Sequence, residues 1–154
     1  MDAVRLVAIY MHFGTKEELF DKVVADSMSE LAEAVSIDAG DLPDYAGALF
    51  DRLRQRPHIT RLYLWAGLER QRPIDAEVEE YRRNVAAVEA AQDAGRIRSD
   101  IPAVELMAMV VALVISWDTA SWSLKALRQE TDDSFAARRT AVTAAVAGLV
   151  RPHP

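Results

Sequence analysis

The apolar residues of this chain recur mainly at steps of three and four, which is the spacing of one face of an α-helix. Strand-type alternation of apolar and polar residues is hard to find, and alanine, leucine, glutamate and arginine dominate the composition. The few prolines stand at intervals suited to the gaps between helices. The pattern therefore predicts an all-α protein.

The pattern divides into six helices that would pack in one bundle-like domain. Their expected spans are 16–35, about 45–56, 57–72, about 78–94, 102–124 and 134–150. At the start of the first helix, Thr15 followed three residues later by Glu18 is the capping-box pattern. At the start of the fifth, Asp100 with Pro102 is the pattern of an N-cap followed by a first-turn proline.

Composition and charge narrow the class further. The 154 residues are 51% apolar and 27% charged, which suits one folded domain and leaves little room for linkers. The net charge of −6 has the wrong sign for a protein whose whole surface grips nucleic acid, so any DNA contact must be local. The chain has no cysteine and shows no secretory signal, so we expect a cytoplasmic protein.

The most apolar stretch, 101–122, is about long enough to span a bilayer. Glu105 and Asp118 lie within it, and a charge at mid-bilayer costs roughly 2.5–3.5 kcal/mol. Hydroxyl side chains between Ser116 and Ser123 add further polarity. We therefore expect a helix buried between other helices or subunits, and no contact with a membrane.

The run Ile9–Phe20 carries the most specific signal of the chain. Residues 3 to 20 resemble the junction between the recognition helix and the fourth helix in the tetracycline-repressor (TetR) family of bacterial transcription regulators. The family pattern is Gly-Val-Ser-x-x-x-Leu/Ile-Tyr-x-His/Tyr-Phe-x-Ser/Thr-Lys-Glu-x-Leu. The residues in register with it are Ala3, Val4, Arg5, Ile9, Tyr10, His12, Phe13, Thr15, Lys16, Glu17 and Leu19.

The resemblance implies a remnant of a helix-turn-helix over residues 1–14, followed by a six-helix regulatory and dimerisation domain over 15–154. It implies a homodimer that binds operator DNA and releases it when a small effector, of unknown identity, is bound. The helices predicted near 102–124 and 134–150 resemble the pair that forms a four-helix bundle across the family's dimer axis. Small residues that would allow close helix approach are Ala108, Ala112, Ala141, Ala144, Ala145 and Gly148.

The resemblance also implies four DNA contacts. Tyr10 and His12 would hydrogen-bond phosphate oxygens, and Lys16 adds a charge where helical N–H groups already favour an anion. Arg5 would contact guanine or phosphate. Without the register, Tyr10 is as readily a packing residue and Lys16 an ordinary solvated lysine.

Two departures from the pattern bear on DNA binding. Arg5 replaces the usual serine or threonine cap of the recognition helix, a cap worth about 1 kcal/mol. The first two helices of the family's DNA-binding domain are absent, so Val4 and Ile9 lack their apolar partners, and the chain as written should bind operator DNA poorly. We expect either a start codon placed too far downstream, which the preserved pattern favours, or a truncated ligand-binding and dimerising protein without DNA affinity.

Large aromatic or sulfur-containing side chains mark a candidate effector cavity between the middle helices and the most apolar one. The candidates are these side chains and one carboxylate, that of Asp118: Tyr63, Trp65, Tyr81, Met107, Trp117, Asp118 and Trp122. Asp118 stands out because a carboxylate in an apolar helix needs a partner, such as an arginine, an indole N–H or a cationic ligand. The same aromatic spacing is also typical of a well-packed core.

No sequence feature indicates catalysis. A Gly-rich phosphate loop and the Ser-His-Asp and His-Glu-x-x-His spacings are missing, as are the paired Glu-x-x-His ligands of a di-iron bundle. The scattered histidines are His12, His58 and His153. We expect four glutamates to lie on solvated helix surfaces: Glu69, Glu77, Glu79 and Glu80. We expect neither an enzyme nor a metal or cofactor.

Overall fold

The computed structural model describes residues 15–35, 37, 41–70, 72–73, 75–127 and 132–152. Within these ranges every regular element is an α-helix, so the all-α prediction is confirmed. The predicted helix-turn-helix remnant over 1–14, with Arg5, Tyr10 and His12, lies outside the described residues.

The described part of the chain contains eight helices, and each of the six predicted spans overlaps at least one of them. They are α1 (Lys16–Ala34), α2 (Leu42–Gln55), α3 (Pro57–Glu69), α4 (Asp75–Asp93), α5 (Ala103–Val114), α6 (Ser116–Thr119), α7 (Trp122–Lys125) and α8 (Asp132–Val150).

The start of α1 follows the predicted capping box. Thr15 Oγ1 accepts a hydrogen bond from the Glu18 N–H at 3.1 Å, and a carboxylate oxygen of Glu18 accepts one from the Thr15 N–H at 2.7 Å. This reciprocal pair supplies acceptors to N–H groups that a helix start leaves without an intrahelical partner. The predicted capping box is confirmed.

The prediction of a single helix over 102–124 is wrong, because α5 ends at Val114 and two short helices follow it. Thr119 Oγ1 donates a hydrogen bond back to the Ser116 carbonyl oxygen at 3.1 Å, and such bonds compete with a continuing helix. After an extended stretch, the Ser121 side chain caps α7 by accepting from a backbone N–H at 3.2 Å. The hydroxyl residues thus divide the predicted helix.

The cap predicted for α5 is also wrong. The N-cap position is Pro102, which makes no side-chain cap hydrogen bond. Asp100 instead accepts two hydrogen bonds from the Arg98 guanidinium, at 2.6 and 2.8 Å. The Arg98 N–H donates to the Val150 carbonyl oxygen at 3.0 Å, so this turn ties the start of α5 to the end of α8.

The C-terminus of α4 closes on a glycine in the left-handed region, Gly95, whose φ is +66°. The Arg96 N–H donates to the Ala91 carbonyl oxygen at 3.0 Å, and the Gly95 N–H donates to that of Gln92 at 2.9 Å. This pair of bonds is the Schellman arrangement, which requires a residue at positive φ.

Replacing Gly95 by alanine is expected to lower the free energy of unfolding by about 1–2 kcal/mol, because an L side chain is strained at this φ. The matched control is Gly67→Ala in α3, where nothing lies within 4 Å of an added Cβ. There alanine should stabilise the helix by roughly 0.5–1 kcal/mol. Urea unfolding followed by circular dichroism measures both changes. Equal stability of Gly95→Ala and the unsubstituted protein would contradict the strain argument.

The main core lies between α2, α4, α5 and α8. Its fully buried side chains include Leu42, Val88, Leu106, Met107, Val110 and Val146. The helices α2 and α8 approach closely, since a Cβ added at Gly47 would lie 2.8 Å from the Arg139 guanidinium. Arg139 also pairs with Asp51 at 2.8 Å, so α8 is held on α2 by packing and by an ion pair.

A smaller apolar cluster joins α1 to α3. Its buried members are Val24, Met28, Ile59 and Ala66. Glu30 of α1 also pairs with Arg52 at 2.7 Å and with Arg56 at 3.1 Å, at the end of α2. The first helix is therefore anchored on both α2 and α3.

Candidate effector cavity

A cavity of about 60 Å³ lies where α1 to α5 meet. Apolar side chains of α1, α2 and α5 form much of its wall, whereas most of its polar lining comes from α3 and α4. The polar lining comprises Tyr45, Thr60, Tyr63, Glu77, Glu80, Tyr81 and Asn84. A space of this size and polarity accepts a few water molecules or part of a larger ligand.

Helical spacing brings the polar side chains of α4 to this cavity. Glu77, Glu80, Tyr81 and Asn84 stand at positions i, i+3, i+4 and i+7 of the helix, which share one face. Glu79, between them, is exposed and pairs with an arginine on the outer side. Sequence reasoning missed Glu77 and Glu80 as cavity residues, although their spacing relative to Tyr81 carries the signal.

Two of the cavity tyrosines, Tyr45 and Tyr81, are held in the neutral form. Burial raises the pKa of Tyr45 to about 12, and the negative charge of Glu80 adds to the shift. Burial also raises the pKa of Tyr81, and the neighbouring Tyr63 adds to the shift. Both hydroxyl groups therefore keep their protons, and can donate them in hydrogen bonds, throughout the physiological pH range.

A second, more open cavity of about 250 Å³ adjoins the first between α3, α4 and α5. Met107 lines it, and Tyr63, Tyr81, Val111 and Ile115 line both cavities. Tyr63 and Tyr81 thus belong to the wall that the two cavities share.

Three of the seven predicted ligand-binding residues lie at these cavities. Tyr63 and Tyr81 line both of them, and Met107 lines the second. The residues that line neither are Trp65, Trp117, Asp118 and Trp122.

The break after α5 explains the position of two of these residues. In an unbroken helix, Asp118 and Trp122 would follow Val111 and Ile115 on one face, at helical spacing. Because α5 ends earlier, that face does not continue, and Trp122 is 85% exposed. Burial raises the pKa of Asp118, although the positive charge of Lys125 opposes the shift.

The other two predicted residues have aromatic or cationic neighbours elsewhere. Trp65 packs edge-on against Phe20 of α1, with ring centroids 4.7 Å apart. The Arg138 guanidinium lies 4.6 Å from the ring centroid of Trp117. Both contacts are of types that stabilise packing between elements.

Lys16, the described member of the predicted DNA contacts, is exposed in the first turn of α1. It borders a surface groove together with Phe20, Asp21, Trp65 and Arg70. Its contact with DNA stays a prediction.

Arg70 borders this groove from the C-terminal end of α3. Its guanidinium pairs with Asp21 of α1, and its side chain is only 16% exposed. Its Nε donates to the Arg72 carbonyl oxygen at 3.2 Å. Burial raises the pKa of the Glu77 carboxyl, and the positive charge of Arg70 partly offsets that rise. One arginine therefore interacts with both the first helix and a carboxyl group of the cavity.

The outer faces of α5 and α8 are apolar and exposed. On α5, Val104 is 58% and Met109 is 42% exposed. On α8, the exposed residues at helical spacing are Ala137, Ala141, Ala144, Ala145 and Gly148. An exposed apolar surface of this kind is typical of a contact between subunits.

The described ranges contain neither a metal-binding cluster nor a membrane-spanning helix. No cluster of three or more side chains suited to hold a metal ion is present among these residues. None of the described helices combines the length and apolar character needed to cross a membrane.

Comparison with known proteins gives three similarities. The model of the family "Tetracyclin repressor-like, C-terminal domain" matches residues 41–147. The HTH-type transcriptional repressor SCO4008 of Streptomyces coelicolor is 36% identical over 120 residues, which cover 75% of this chain and 59% of the repressor. The crystal structure of SCO4942 of Streptomyces coelicolor, described as a transcriptional regulator, superposes with a TM-score of 0.77 at 30% identity. That superposition covers 93% of this chain and 78% of SCO4942.

Proposed function

Because this chain belongs to the tetracycline-repressor family, we propose that it acts as a ligand-responsive transcription regulator that binds operator DNA as a homodimer. The observation that carries the proposal is the place of the cavity, which is lined in part by Met28, Leu31 and Val35 of α1. This helix directly follows the motif that resembles the end of a recognition helix. A ligand that alters the packing of α1 would therefore alter the position of the DNA-binding residues.

The DNA contacts that we propose come from the N-terminal end of the chain. Lys16 would neutralise a phosphate beside the N-terminus of α1, where the capped helix presents N–H groups. Tyr10 and His12 would bind neighbouring phosphates, and Arg5 would bind a base or a phosphate. Most of these contacts position the protein on the duplex rather than specify a sequence. Operator binding would take place in the cytoplasm.

The proposed dimer uses the exposed faces of α5 and α8. Small side chains on α8 allow another helix to approach closely, and Val104 and Met109 supply larger apolar surface beside them. In a two-fold dimer these faces would meet their own copies. The dimer would also set the distance between the two DNA-binding ends.

Selection from a random pool of double-stranded DNA tests the regulatory role. It is carried out with this chain and with the chain extended by any residues encoded in frame upstream of Met1. We expect the extended protein to enrich a palindrome whose half-sites lie about 10 base pairs, or a multiple of that, apart. We expect this chain by itself to enrich it less strongly than the extended protein. If neither protein enriches a sequence, the chain is instead a ligand-binding and dimerising protein without DNA affinity.

A further inference from the structure

We propose that the ligand of the cavity is a cation with an apolar or aromatic body, whose positive charge lies between Glu77 and Glu80 and whose body lies against the tyrosines and the apolar wall. The proposal rests on the ligand-binding role proposed above and names the chemical class of the ligand.

The charge of the cavity wall is negative, which favours a cationic ligand. Two carboxylates, Glu77 and Glu80, line the cavity, and no lysine or arginine is among its described lining residues. The positive charges near these carboxylates approach from outside the cavity. Arg70, which pairs with Asp21 of α1, lowers the pKa of Glu77, and Arg83 pairs with Glu80 while itself largely exposed. An anion would meet like charge here, and a neutral molecule without hydrogen-bond donors would displace water from two carboxylates without replacing its hydrogen bonds.

The aromatic and apolar lining carries the second step. Tyr45, Tyr63 and Tyr81 border the same space as the carboxylates, and their rings attract a cation through the negative π face. Leu49 and Val111 belong to the apolar wall, which suits the uncharged body of the ligand. A bare metal ion would gain little from an apolar wall. An organic cation suits both the carboxylates and the apolar wall.

The size of the two adjoining cavities indicates where the body of the ligand would lie. About 60 Å³ is small for an organic ligand, whereas the adjoining cavity of about 250 Å³ shares Tyr63 and Tyr81 with it. Rotation of these two side chains would join the spaces. Their hydroxyl groups could then bond to the ligand or to water. We therefore place the body of the ligand across this tyrosine pair.

Calorimetric titration of this 154-residue chain with two matched probes tests the proposal. Benzyltrimethylammonium carries the charge, and neopentylbenzene is its uncharged carbon isostere. We expect the cation to bind at least tenfold more tightly than the isostere. Equal affinities, or no measurable binding of the cation at millimolar concentration, would overturn the proposal.

Substitution of the two carboxylates places the binding in this cavity. Glu77→Gln with Glu80→Gln should weaken binding of the cation at least tenfold and leave binding of the isostere unchanged. The control, Glu79→Gln with Glu89→Gln, removes the same charge from exposed positions of α4 and should change neither affinity. Circular dichroism and thermal unfolding verify that both variants fold. An unchanged affinity of the folded Glu77/Glu80 variant for the cation would refute the assignment.

The outcome is independent of the proposed regulatory role, because the titrations contain no DNA. A cation that binds in this way but leaves selected DNA bound to the protein contradicts the regulatory role alone. DNA that is released by an uncharged compound, while the cation fails to bind, contradicts the ligand class alone.

Discussion

Replacing Ala141 and Ala145 by glutamate is expected to convert the protein from a dimer into a monomer. Both alanines are exposed on one face of α8, where the proposed interface brings two copies together. Burial of the four carboxylates of a dimer there without partners would cost at least several kcal/mol in all, which lowers the dimerisation constant roughly a thousandfold or more. Light scattering coupled to size-exclusion chromatography at micromolar concentration measures the change.

The control for this prediction places the same charges on another helix. Ala86→Glu with Ala90→Glu adds two carboxylates at exposed positions of α4, outside the proposed interface, and should leave the dimer intact. Near-native circular dichroism of both variants excludes unfolding as the cause. A dimeric Ala141/Ala145 variant would contradict the interface, and a monomeric unsubstituted protein would contradict the dimer itself.

Replacing Arg70 by methionine is expected to separate ligand binding from DNA release. Arg70 pairs with Asp21 of α1 and offsets part of the burial-induced rise in the Glu77 pKa, so it connects the first helix with the cavity. Coupling between two sites of a regulator is typically about 5- to 150-fold in affinity. In the variant, this factor should fall towards one. Binding of benzyltrimethylammonium itself should become tighter, because a competing positive charge is removed from Glu77.

Two measurements check the role of Arg70. Titration of the selected DNA with and without the cation, using the DNA-binding form of the protein, gives the coupling factor. The carbon-13 resonance of the Glu77 carboxyl, followed against pH in this chain, should report a pKa higher than in the unsubstituted protein. Arg72→Met is the control, since the Arg72 side chain is exposed and Arg70 bonds to its carbonyl oxygen. DNA release that is undiminished in the Arg70 variant would show that the signal travels elsewhere.

If the proposals hold, a cation bound at Glu77 would compete with Arg70 for the same carboxylate. The ion pair between Arg70 and Asp21 would then respond to the ligand, and with it the contact between the end of α3 and the start of α1. Since α1 directly follows the motif proposed to bind DNA, a shift of this helix would reach those residues. The mechanism needs two discrete arrangements of α1, which DNA and ligand would favour in opposite directions.

The helix predictions succeed where the determining contacts are local. The capping box at Thr15 and Glu18 involves two residues one turn apart, and the apolar steps of three and four need no knowledge of a partner helix. The predicted long helix over 102–124 fails because a run of apolar residues does not report the competing hydrogen bonds of Thr119 and Ser121.

The structure brings only some of the predicted site residues to the cavities, for the same reason. Tyr63, Tyr81 and Met107 lie at the cavities because their helices converge there, and Trp65 instead packs on Phe20. Size and aromatic character do not say which neighbour a side chain meets. In the sequence, Glu77 and Glu80 are indistinguishable from ordinary solvated charges. They line the cavity because α1, α2 and α3 pack near their face of α4.

By itself, the sequence determined the helical class, the capped start of α1 and the family resemblance of residues 3 to 20, because each depends on residues within a few turns of one another. The tertiary structure alone decided which residues line the cavities, where α5 ends and which carboxyl groups Arg70 reaches. These properties depend on contacts between helices far apart in the chain, and no local spacing encodes such distances.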